Sequence, residues 1–408
     1  MNELFGAMRA PRNVLFGDGQ RFAVGNVAAS IGERALVCTD ERFAASAPMQ
    51  DILDSLQREG VEVLVSTHTL PELPAHSIAA CAEFASTFAP AVVIGLGGGS
   101  CMDMAKLVSL LLTHGGPASK YYGELKVPGP ITPVIAITTT AGTGSEVTPV
   151  AVMADDYRDL KVGISSPYLI PHTAICDPEL TRSCPPSLTA ISGADALTHA
   201  IEAFTAVEHP LTPQFAQQRV FVGKNLFSDQ WALTAIRAIA EFLPRAFRDG
   251  EDAHARSMVM FGAVSAGLAF GAAGTAAAHA IQYPVGALTH TAHGLGVAAL
   301  LPYVMAYNAA HSLSQLGEIA RAMGSTVDDG PVALAEDGIR RVRALLSGVG
   351  VPRTLAELGL AEDKLRWVAE QSMLSARLVN NNPRPLQVDD MQAIVEDAYH
   401  GQLRPIAA

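Results

Sequence analysis

The stretch between Arg256 and Glu318 constrains the fold of this chain more than any other feature. The 61 residues from 257 to 317 include no Asp, Glu, Lys or Arg, which predicts that they are buried. The same stretch contains four histidines, His279, His290, His293 and His311. A buried imidazole without a hydrogen bond or a metal costs about 1–3 kcal/mol, so these rings need polar partners in the interior.

A second segment, 193–202, supplies residues that can join those histidines. Asp195 and His199 are spaced i, i+4, which places both side chains on one face of a helix. With His279 near the end of one uncharged helix and His293 at the start of the next, four ligands from three helices can surround a transition metal. Taken singly, each histidine is more simply explained as a hydrogen-bonded core residue, whereas the set of four favours metal binding.

Length and composition narrow the class of protein. The chain has 408 residues, 49% of them hydrophobic, which predicts a compact soluble protein with two domains. Its net charge of -12 argues against nucleic-acid and anionic-membrane partners. The five cysteines include no CxxC pair and the N-terminus carries no signal-peptide pattern, which favours a cytoplasmic protein with reduced thiols. The uncharged stretch is long enough to cross a membrane, but its many Ala and Gly residues favour buried helices instead.

The first part of the chain alternates strands with helices, as in a doubly wound parallel sheet. Continuous apolar segments predict strands at 13–16, 35–40, 61–65, 91–96 and 134–138. Helical patterns take over after Pro186. We therefore predict an α/β dinucleotide-binding domain at 1–185 and an all-helical metal-binding and substrate domain at 186–408.

The second domain reads as a series of helices with one interruption. Apolar spacing predicts helices at 195–204, 231–242, 253–270, 275–283, 293–308, 332–346, 362–373 and 390–399. Two of these are expected to end before a proline, at Pro244 and at Pro284. The segment 208–228 contains prolines, a glycine and charges, and predicts a polar excursion on the surface.

Two polar glycine loops follow predicted strands in the first domain. Gly97, Gly98, Gly99 and Ser100 stand between a strand and a helix start, where backbone N–H groups attract an anion such as a diphosphate. This is not the usual GxGxxG pattern, and a glycine turn without a ligand is the alternative interpretation. Residues 139–146, TTAGTGSE, form a second loop whose hydroxyls can bind phosphates and ribose. Two such loops at the carboxyl ends of parallel strands favour a nucleotide site.

Several motifs together resemble the iron-containing, or group III, alcohol dehydrogenase family. Residues 97–106 are similar to its GGGSxxDxAK motif, residues 139–146 to its TTxGTGSE and residues 193–202 to its GxDAxxHAxE. The segment 161–178 ends in the family's DP, and Asn382-Pro383-Arg384 matches a late NPR. These matches run in order along nearly the whole chain.

The resemblance implies the two-domain architecture of dehydroquinate synthase and a set of functional residues. It implies a divalent metal, most commonly iron with zinc also compatible, and NAD as the cofactor. The implied metal ligands, which are also the catalytic residues, are Asp195, His199, His279 and His293. The implied cofactor-binding residues are Asp40, Gly97, Gly98, Gly99, Ser100, Asp103, Thr139, Thr140, Thr143, Ser145 and Lys161. Lys161 is also explained as an ordinary exposed lysine.

This chain departs from the family pattern at two places. Where many members have a histidine four residues after the third ligand, it has Tyr283, which puts a proton relay through that position in doubt. The excursion at 208–228 is longer than in many members.

The features combine into an expected reaction, the transfer of a hydride between NAD(H) and an alcohol/aldehyde pair in a homodimer or higher homo-oligomer. A Lewis-acid metal on the substrate oxygen and a water-excluding, uncharged wall favour such a transfer. A dehydroquinate-synthase-like lyase that also uses NAD and a metal is the alternative, and a binding or structural protein is a third. Asp40 favours NAD over NADP, because a carboxylate bonds ribose hydroxyls and repels the extra phosphate. In the other interpretation Asp40 only begins a turn, and Arg42 pairs with that phosphate.

Overall fold

Two compact units make up the chain. The computed structural model describes residues 4–156, 160–209 and 212–406. One unit comprises residues 9–183 and 217–220, and the other comprises residues up to 8, 184–216 and 221–408. The predicted division at 185 falls close to the start of the second unit at Cys184. The prediction did not foresee that the residues up to 8 belong to the same unit as residues 221–408, or that residues 217–220 belong to the unit of residues 9–183.

The sheet unit is built on a six-stranded parallel sheet, which confirms the predicted fold class. In chain order its strands are β1 Asn13–Phe16, β2 Arg34–Cys38, β3 Glu62–Ser66, β4 Val92–Gly97, β6 Val134–Thr138 and β9 Thr173–Cys176. The helices of this unit are α1 Val24–Ala29, α2 Glu41–Ala44, α3 Ala47–Arg58, α4 Ala75–Ser86 and α5 Gly99–His114. Every residue of β4 and β6 is buried, as expected when helices cover both faces of a parallel sheet.

The side chains of successive strand residues point to opposite faces of the sheet, so the core of this unit has two parts, one on each face. Leu36 and Val93 belong to one hydrophobic cluster. Val37 and Ile94, the next residue in each strand, belong to another. This is the period-two pattern of a strand covered on both sides.

The strand order, β1-β9-β6-β4-β2-β3, determines where a ligand can bind. The chain runs outward from β2 to β3 and then crosses back to form β4 on the other side of β2. The order reverses there, and such a reversal opens a crevice at the carboxyl ends of the strands. The carboxyl ends of β2, β4 and β6 therefore lie side by side.

A second, three-stranded sheet was not predicted. It consists of β5 Gly123–Glu124, β7 Val150–Asp155 and β8 Leu160–Ser165, with β7 and β8 antiparallel. Buried and half-buried residues alternate along β7. This alternation leaves no continuous apolar run in the sequence, and it is a weaker strand signal than such a run.

The described residues of the other unit contain helices and no strand, which confirms the predicted all-helical part. Its helices are α6 Pro186–Thr205, α8 Leu226–Arg248, α9 Ala253–Ala273, α10 Ala277–Thr289, α11 His293–Ala322, α12 Pro331–Gly348, α13 Leu365–Ser372, α14 Ala376–Asn380 and α15 Val388–His400. A short helix, α7 Phe215–Gln218, lies where the chain passes from one unit to the other. Helices α6, α8 and α9 pack on one another, and α10, α11, α13 and α15 share a hydrophobic cluster.

Helix α9 has the length and composition of a membrane-spanning helix. Within its most apolar window 83% of the residues are buried inside the unit, so protein covers its uncharged surface.

Two expectations about helix ends were wrong. Pro244 lies inside α8 and Pro284 lies inside α10, although each was expected to follow a helix end. A proline removes a single hydrogen bond from the helix, and the packing of a long buried helix can offset that loss.

The segment 208–228 is also less polar and less exposed than expected. Val220, Phe221 and Val222 are buried, at 0%, 6% and 1% exposure. The last residues of the segment already belong to α8, whose first turn is capped by Asn225. The apolar triplet was masked in the sequence by the prolines and charges around it.

Candidate active site

Three of the four predicted metal ligands form one group in the helical unit. Asp195 and His199 on α6 and His279 on α10 offer ligand atoms that all lie within 4.8 Å of one another. The three residues are buried, at 5%, 6% and 4% exposure. The i, i+4 spacing brings Asp195 Oδ1 within 3.8 Å of His199 Nε2. Helix geometry therefore brings Asp195 and His199 together, and the packing of α10 adds the third predicted ligand, His279.

The fourth predicted ligand lies beside this group. His293 begins α11, and its ring centroid is 5.3 Å from that of His279. The next residue, Gly294, permits the close approach of α11 to α6. A Cβ at that position would lie 2.6 Å from the carbonyl oxygen of Ile191 and 2.9 Å from Cβ of Asp195. The glycine after the fourth predicted ligand thus keeps the start of α11 against Asp195.

The other two histidines of the uncharged stretch were wrongly expected to be buried. His290 is exposed at the end of α10, in the left-handed conformation, and His311 is exposed on α11. Both therefore lie at the surface and need no partner in the interior.

Aromatic rings hold the imidazoles in place. The ring of His199 stacks on Phe270, at 4.2 Å between centroids, and on His279, at 4.8 Å. Tyr283 is one helical turn after His279, and its ring stacks on His293 at 6.2 Å. Burial raises the pKa of the Tyr283 phenol.

The side chains of the group fit a divalent metal. His199 Nδ1 and His279 Nε2 are buried and have no hydrogen-bond partner among the residues that the structure describes. Burial lowers the pKa of His279 well below its usual value, which favours the neutral imidazole that a metal requires. One carboxylate with imidazole nitrogens is a ligand set suited to iron, zinc and related ions.

Glu202 is a functional residue whose role the sequence analysis missed. Its Oε2 accepts a hydrogen bond of 2.6 Å from His279 Nδ1 and one of 2.9 Å from the backbone N–H of Ala276. Its Oε1 accepts a bond of 2.7 Å from the N–H of Ala278. With Nδ1 as the donor, His279 presents the lone pair of Nε2 to an ion. The available signal was the position of Glu202 three residues after His199, on the same face of α6.

We expect Glu202→Gln to weaken metal binding about 10- to 100-fold, the usual effect of removing a carboxylate that orients a metal-binding histidine. Competition between the protein and a chelator, followed by elemental analysis, measures this affinity without using activity. Glu370→Gln, which changes a half-exposed glutamate on α13, is the matched control. Equal metal affinity in Glu202→Gln and the unaltered protein would contradict the assigned role.

In the sheet unit, the two glycine loops face each other as the strand order requires. A Cβ on Gly99 would lie 2.9 Å from Thr143 Cγ2, and one on Gly98 would lie 3.7 Å from Thr140 Oγ1. Gly97 has φ +147°, and a Cβ there would lie 2.5 Å from Cys101 Sγ. Because these three residues have no side chains, the backbone at the start of α5 stays open to a ligand. We call Gly97, Gly98 and Gly99 the glycine cradle. Such a helix start is suited to a diphosphate.

Three of the motif residues, Asp103, Lys106 and Ser145, form a buried cluster of hydrogen bonds behind the loops, which we call the buried lock. Lys106 Nζ donates to Ser145 Oγ at 3.0 Å and to the carbonyl oxygens of Thr148 and Val150. Ser145 Oγ in turn donates to Asp103 Oδ1. Burial lowers the pKa of Lys106 to about 8, against the opposing effect of the Asp103 charge. In this arrangement Asp103 and Ser145 fasten the second loop to α5.

The remaining predicted cofactor residues lie in different settings. Asp40 follows β2, where its Oδ1 caps α2 by accepting the N–H of Phe43 at 2.8 Å. Its other oxygen is 4.0 Å from the Cβ that Gly97 would carry, at the edge of the cradle. Thr139 is buried and donates its N–H to the carbonyl of Gly97, and Ser100 is in the first turn of α5. Lys161 is on β8 in an ion pair with Glu72, at 2.6 Å.

Two family models match the chain. The family model of iron-containing alcohol dehydrogenase matches residues 11–178, and the model of the C-terminal part of the Fe-containing alcohol dehydrogenase family matches residues 189–399. The long-chain-alcohol dehydrogenase 1 of Geobacillus thermodenitrificans is 36% identical over 375 residues, which is 90% of either chain.

Solved structures give the same result. A 1,3-propanediol oxidoreductase is similar with a TM-score of 0.91 at 29% identity, over 97% of this chain and 100% of that one. Sulfoacetaldehyde reductase from Bifidobacterium kashiwanohense, solved in complex with NAD+, is similar with a TM-score of 0.83 at 26% identity, over 97% and 99%. The lyase alternative is not favoured by these matches. The glycine cradle, the group of one carboxylate and two imidazoles, and the matching families lead to one conclusion: this chain belongs to the iron-containing alcohol dehydrogenase family.

Proposed function

We propose that the protein is an NAD-dependent, metal-dependent alcohol dehydrogenase or aldehyde reductase. The observation that carries this proposal is the buried group of Asp195, His199 and His279, in which Glu202 orients His279. A buried imidazole whose Nδ1 donates to a carboxylate while its Nε2 has no hydrogen-bond partner among the described residues is the arrangement of a metal-binding histidine.

The side chains of the helical unit would hold the metal and shape its surroundings. Asp195, His199, His279 and His293 are the proposed ligands. A divalent metal bound there supplies Lewis-acid polarisation of the alcohol or aldehyde oxygen. Phe270 stacks on His199, which keeps the ring fixed and excludes water from its face. Iron is the metal in the family's name, zinc suits the same ligands, and elemental analysis distinguishes them.

The glycine loops of the sheet unit would hold the cofactor. NAD(H) supplies or accepts the hydride when bound. The backbone at Gly97, Gly98 and Gly99 is open to a diphosphate, and the buried lock of Lys106 fixes the loop opposite. Support for NAD comes from the NAD+ complex of the sulfoacetaldehyde reductase described above.

The cofactor preference is expected to depend on Asp40. In Asp40→Asn the cap on α2 persists, because Asn and Asp cap helices equally well, while the negative charge is lost. If the carboxylate binds ribose, the ratio of kcat/KM with NADP to that with NAD should rise about 10- to 100-fold, as expected for a charged hydrogen bond. Steady-state kinetics with both cofactors measure the ratio, and Asp54→Asn is the control.

The other interpretation of Asp40, as a turn residue only, predicts an unchanged ratio in Asp40→Asn. A higher kcat/KM with NADPH in the unaltered protein would likewise show that Asp40 does not select the cofactor.

The proposal extends to assembly and location. Strand β1 is at an edge of the six-stranded sheet, and its Val14 and Phe16 are each 39% exposed. An edge strand with apolar side chains is suited to pairing with a second copy, which supports a homo-oligomer. The protein's cysteines form no disulfide among the described residues, which supports a cytoplasmic location.

One assay tests the proposed function. We expect steady formation of NADH when the metal-loaded protein is given NAD and a panel of primary alcohols, and loss of this activity after chelation. Restoration by iron or zinc would complete the test. A protein that stays fully active with all metal removed would refute the metal role, and one that reduces its bound NAD only once would indicate the lyase alternative.

A further inference from the structure

Arg377 places a positive charge near the candidate metal centre from outside the helices that carry its ligands. It is the second residue of α14 and is half-buried. Its Nη1 is 3.5 Å from the position that a Cβ on Gly274 would take, five residues before His279. Two residues after that glycine, the N–H of Ala276 bonds the same Glu202 oxygen that accepts the bond from His279. The guanidinium therefore lies beside the segment that leads into the first turn of α10, which carries His279.

The guanidinium is held against an aromatic ring. Its central carbon is 4.4 Å from the centroid of Phe221, which is 6% exposed. Phe221 belongs to the segment 208–228, and the next residue, Val222, donates its N–H to the carbonyl of Ala272 at 2.8 Å. Stacking on an aromatic face leaves the in-plane N–H groups of an arginine directed outward, where an oxyanion can bind them.

Gly274 leaves room for this side chain just before α10. A Cβ there would lie 3.3 Å from Phe221 Cβ and 3.5 Å from Arg377 Nη1. Gly274 has φ +84°, which further favours glycine. The guanidinium therefore lies at the connection between α9 and α10, five residues before His279.

Helix α14 is fastened to the same connection. Asn381 Nδ2 donates to the carbonyl oxygens of Ala273, at 3.0 Å, and Thr275, at 3.1 Å. These bonds and the Phe221 ring restrict the position of Arg377. A charge held in advance loses less conformational entropy when it binds a ligand.

We infer that Arg377 binds an oxyanion group of the substrate, so that the preferred alcohol or aldehyde also carries a carboxylate or a similar acidic group. This inference rests on the proposed function and specifies its substrate class. Arginine binds carboxylates through two parallel hydrogen bonds, and a cation near the metal centre attracts an anionic substrate in preference to a neutral one of the same length. The segment 208–228 then has a function, because its Phe221 positions the arginine.

The first test uses the unaltered, metal-loaded protein. We expect a higher kcat/KM for 3-hydroxypropanoate or 4-hydroxybutanoate than for the neutral diol of equal length, 1,3-propanediol or 1,4-butanediol. The expected advantage is about tenfold or more, the effect of one charge-assisted hydrogen bond. If kcat/KM were higher for both diols than for their matching acids, the inference would be overturned.

The second test uses Arg377→Met. The ratio of kcat/KM for the acid to that for the diol should fall about 10- to 100-fold, chiefly through a higher KM for the acid. Arg377→Lys should recover part of the ratio, because it keeps the charge and loses the two-pronged geometry. Arg366→Met, which removes a half-exposed arginine on α13, is the control and should leave the ratio unchanged. If Arg377 only fastened the segment 208–228, the kcat/KM values for the acid and the diol would fall together and their ratio would stay the same.

A binding measurement separates this inference from the proposed function. Isothermal titration with butanoate, which has no hydroxyl to oxidise, should give binding to the metal-loaded protein and none to Arg377→Met. Butanoate binding with no NADH formation from any alcohol would refute the proposed function alone. NADH formation with equal butanoate binding in both proteins would refute the role of Arg377 alone.

Discussion

Replacing His279 by alanine should lower kcat/KM for every alcohol by about three orders of magnitude or more, because a Lewis-acid metal contributes several kcal/mol to such a transfer. The substitution removes one of three proposed ligands whose candidate ligand atoms all lie within 4.8 Å of one another. It also leaves Glu202 buried without the ring to which it is bonded. The measurements are steady-state kinetics and elemental analysis of the purified protein, and both activity and metal should be lost together.

The histidine at position 311 supplies the matched control. It belongs to the same uncharged stretch but is exposed on α11, so His311→Ala should retain both metal and activity. NAD binding, measured by titration, should persist in His279→Ala, because the glycine cradle belongs to the sheet unit. Full activity in a His279→Ala protein that has lost its metal would refute the metal role.

Lys106→Met should destabilise the sheet unit by about 3–5 kcal/mol, the usual cost of removing one partner of a buried charge pair. Lys106 is fully buried, and its ammonium is 3.8 Å from Asp103, which would be left without its cation. The second glycine loop would also lose its link to α5, so NAD affinity should fall. The experiment belongs at pH 7, below the pKa of Lys106, which is about 8.

Two features of the chain make this experiment specific. Both tryptophans, Trp231 and Trp367, belong to the helical unit, so their fluorescence follows that unit while calorimetry records both. The double variant Lys106→Met with Asp103→Leu should recover part of the stability, because it removes both charges. Lys126→Met, at an exposed position of the sheet unit, is the control. An unchanged calorimetric transition in Lys106→Met would show that the lock does not stabilise the unit.

Most of the parallel sheet could be predicted because its strands are buried on both faces. A strand such as β4 then appears in the sequence as a continuous apolar run ended by glycines. The small second sheet was missed because β7 alternates and β5 has only two residues. Pro284 was misleading for a different reason, since local preference favours a helix end there and the surrounding helices favour continuation.

The site was predictable where the chemistry is local. Asp195 and His199 are four residues apart, so helix geometry alone brings them together. Glu202 and His279 are 77 residues apart, and their bond depends on how α10 packs on α6. Asp103 illustrates a further limit, because a motif does not distinguish a carboxylate that contacts a ligand from one that fastens a loop.

The contact between Gly294 and helix α6 determines the spacing of two of the proposed ligands. Because a Cβ at 294 would meet the backbone of Ile191 and the side chain of Asp195, the distance between two helix backbones is set by a hydrogen atom. That distance limits how far the start of α11, which carries His293, can lie from Asp195 on α6. The glycine therefore serves as a spacer between two of the proposed ligands, and a larger residue at position 294 would move them apart.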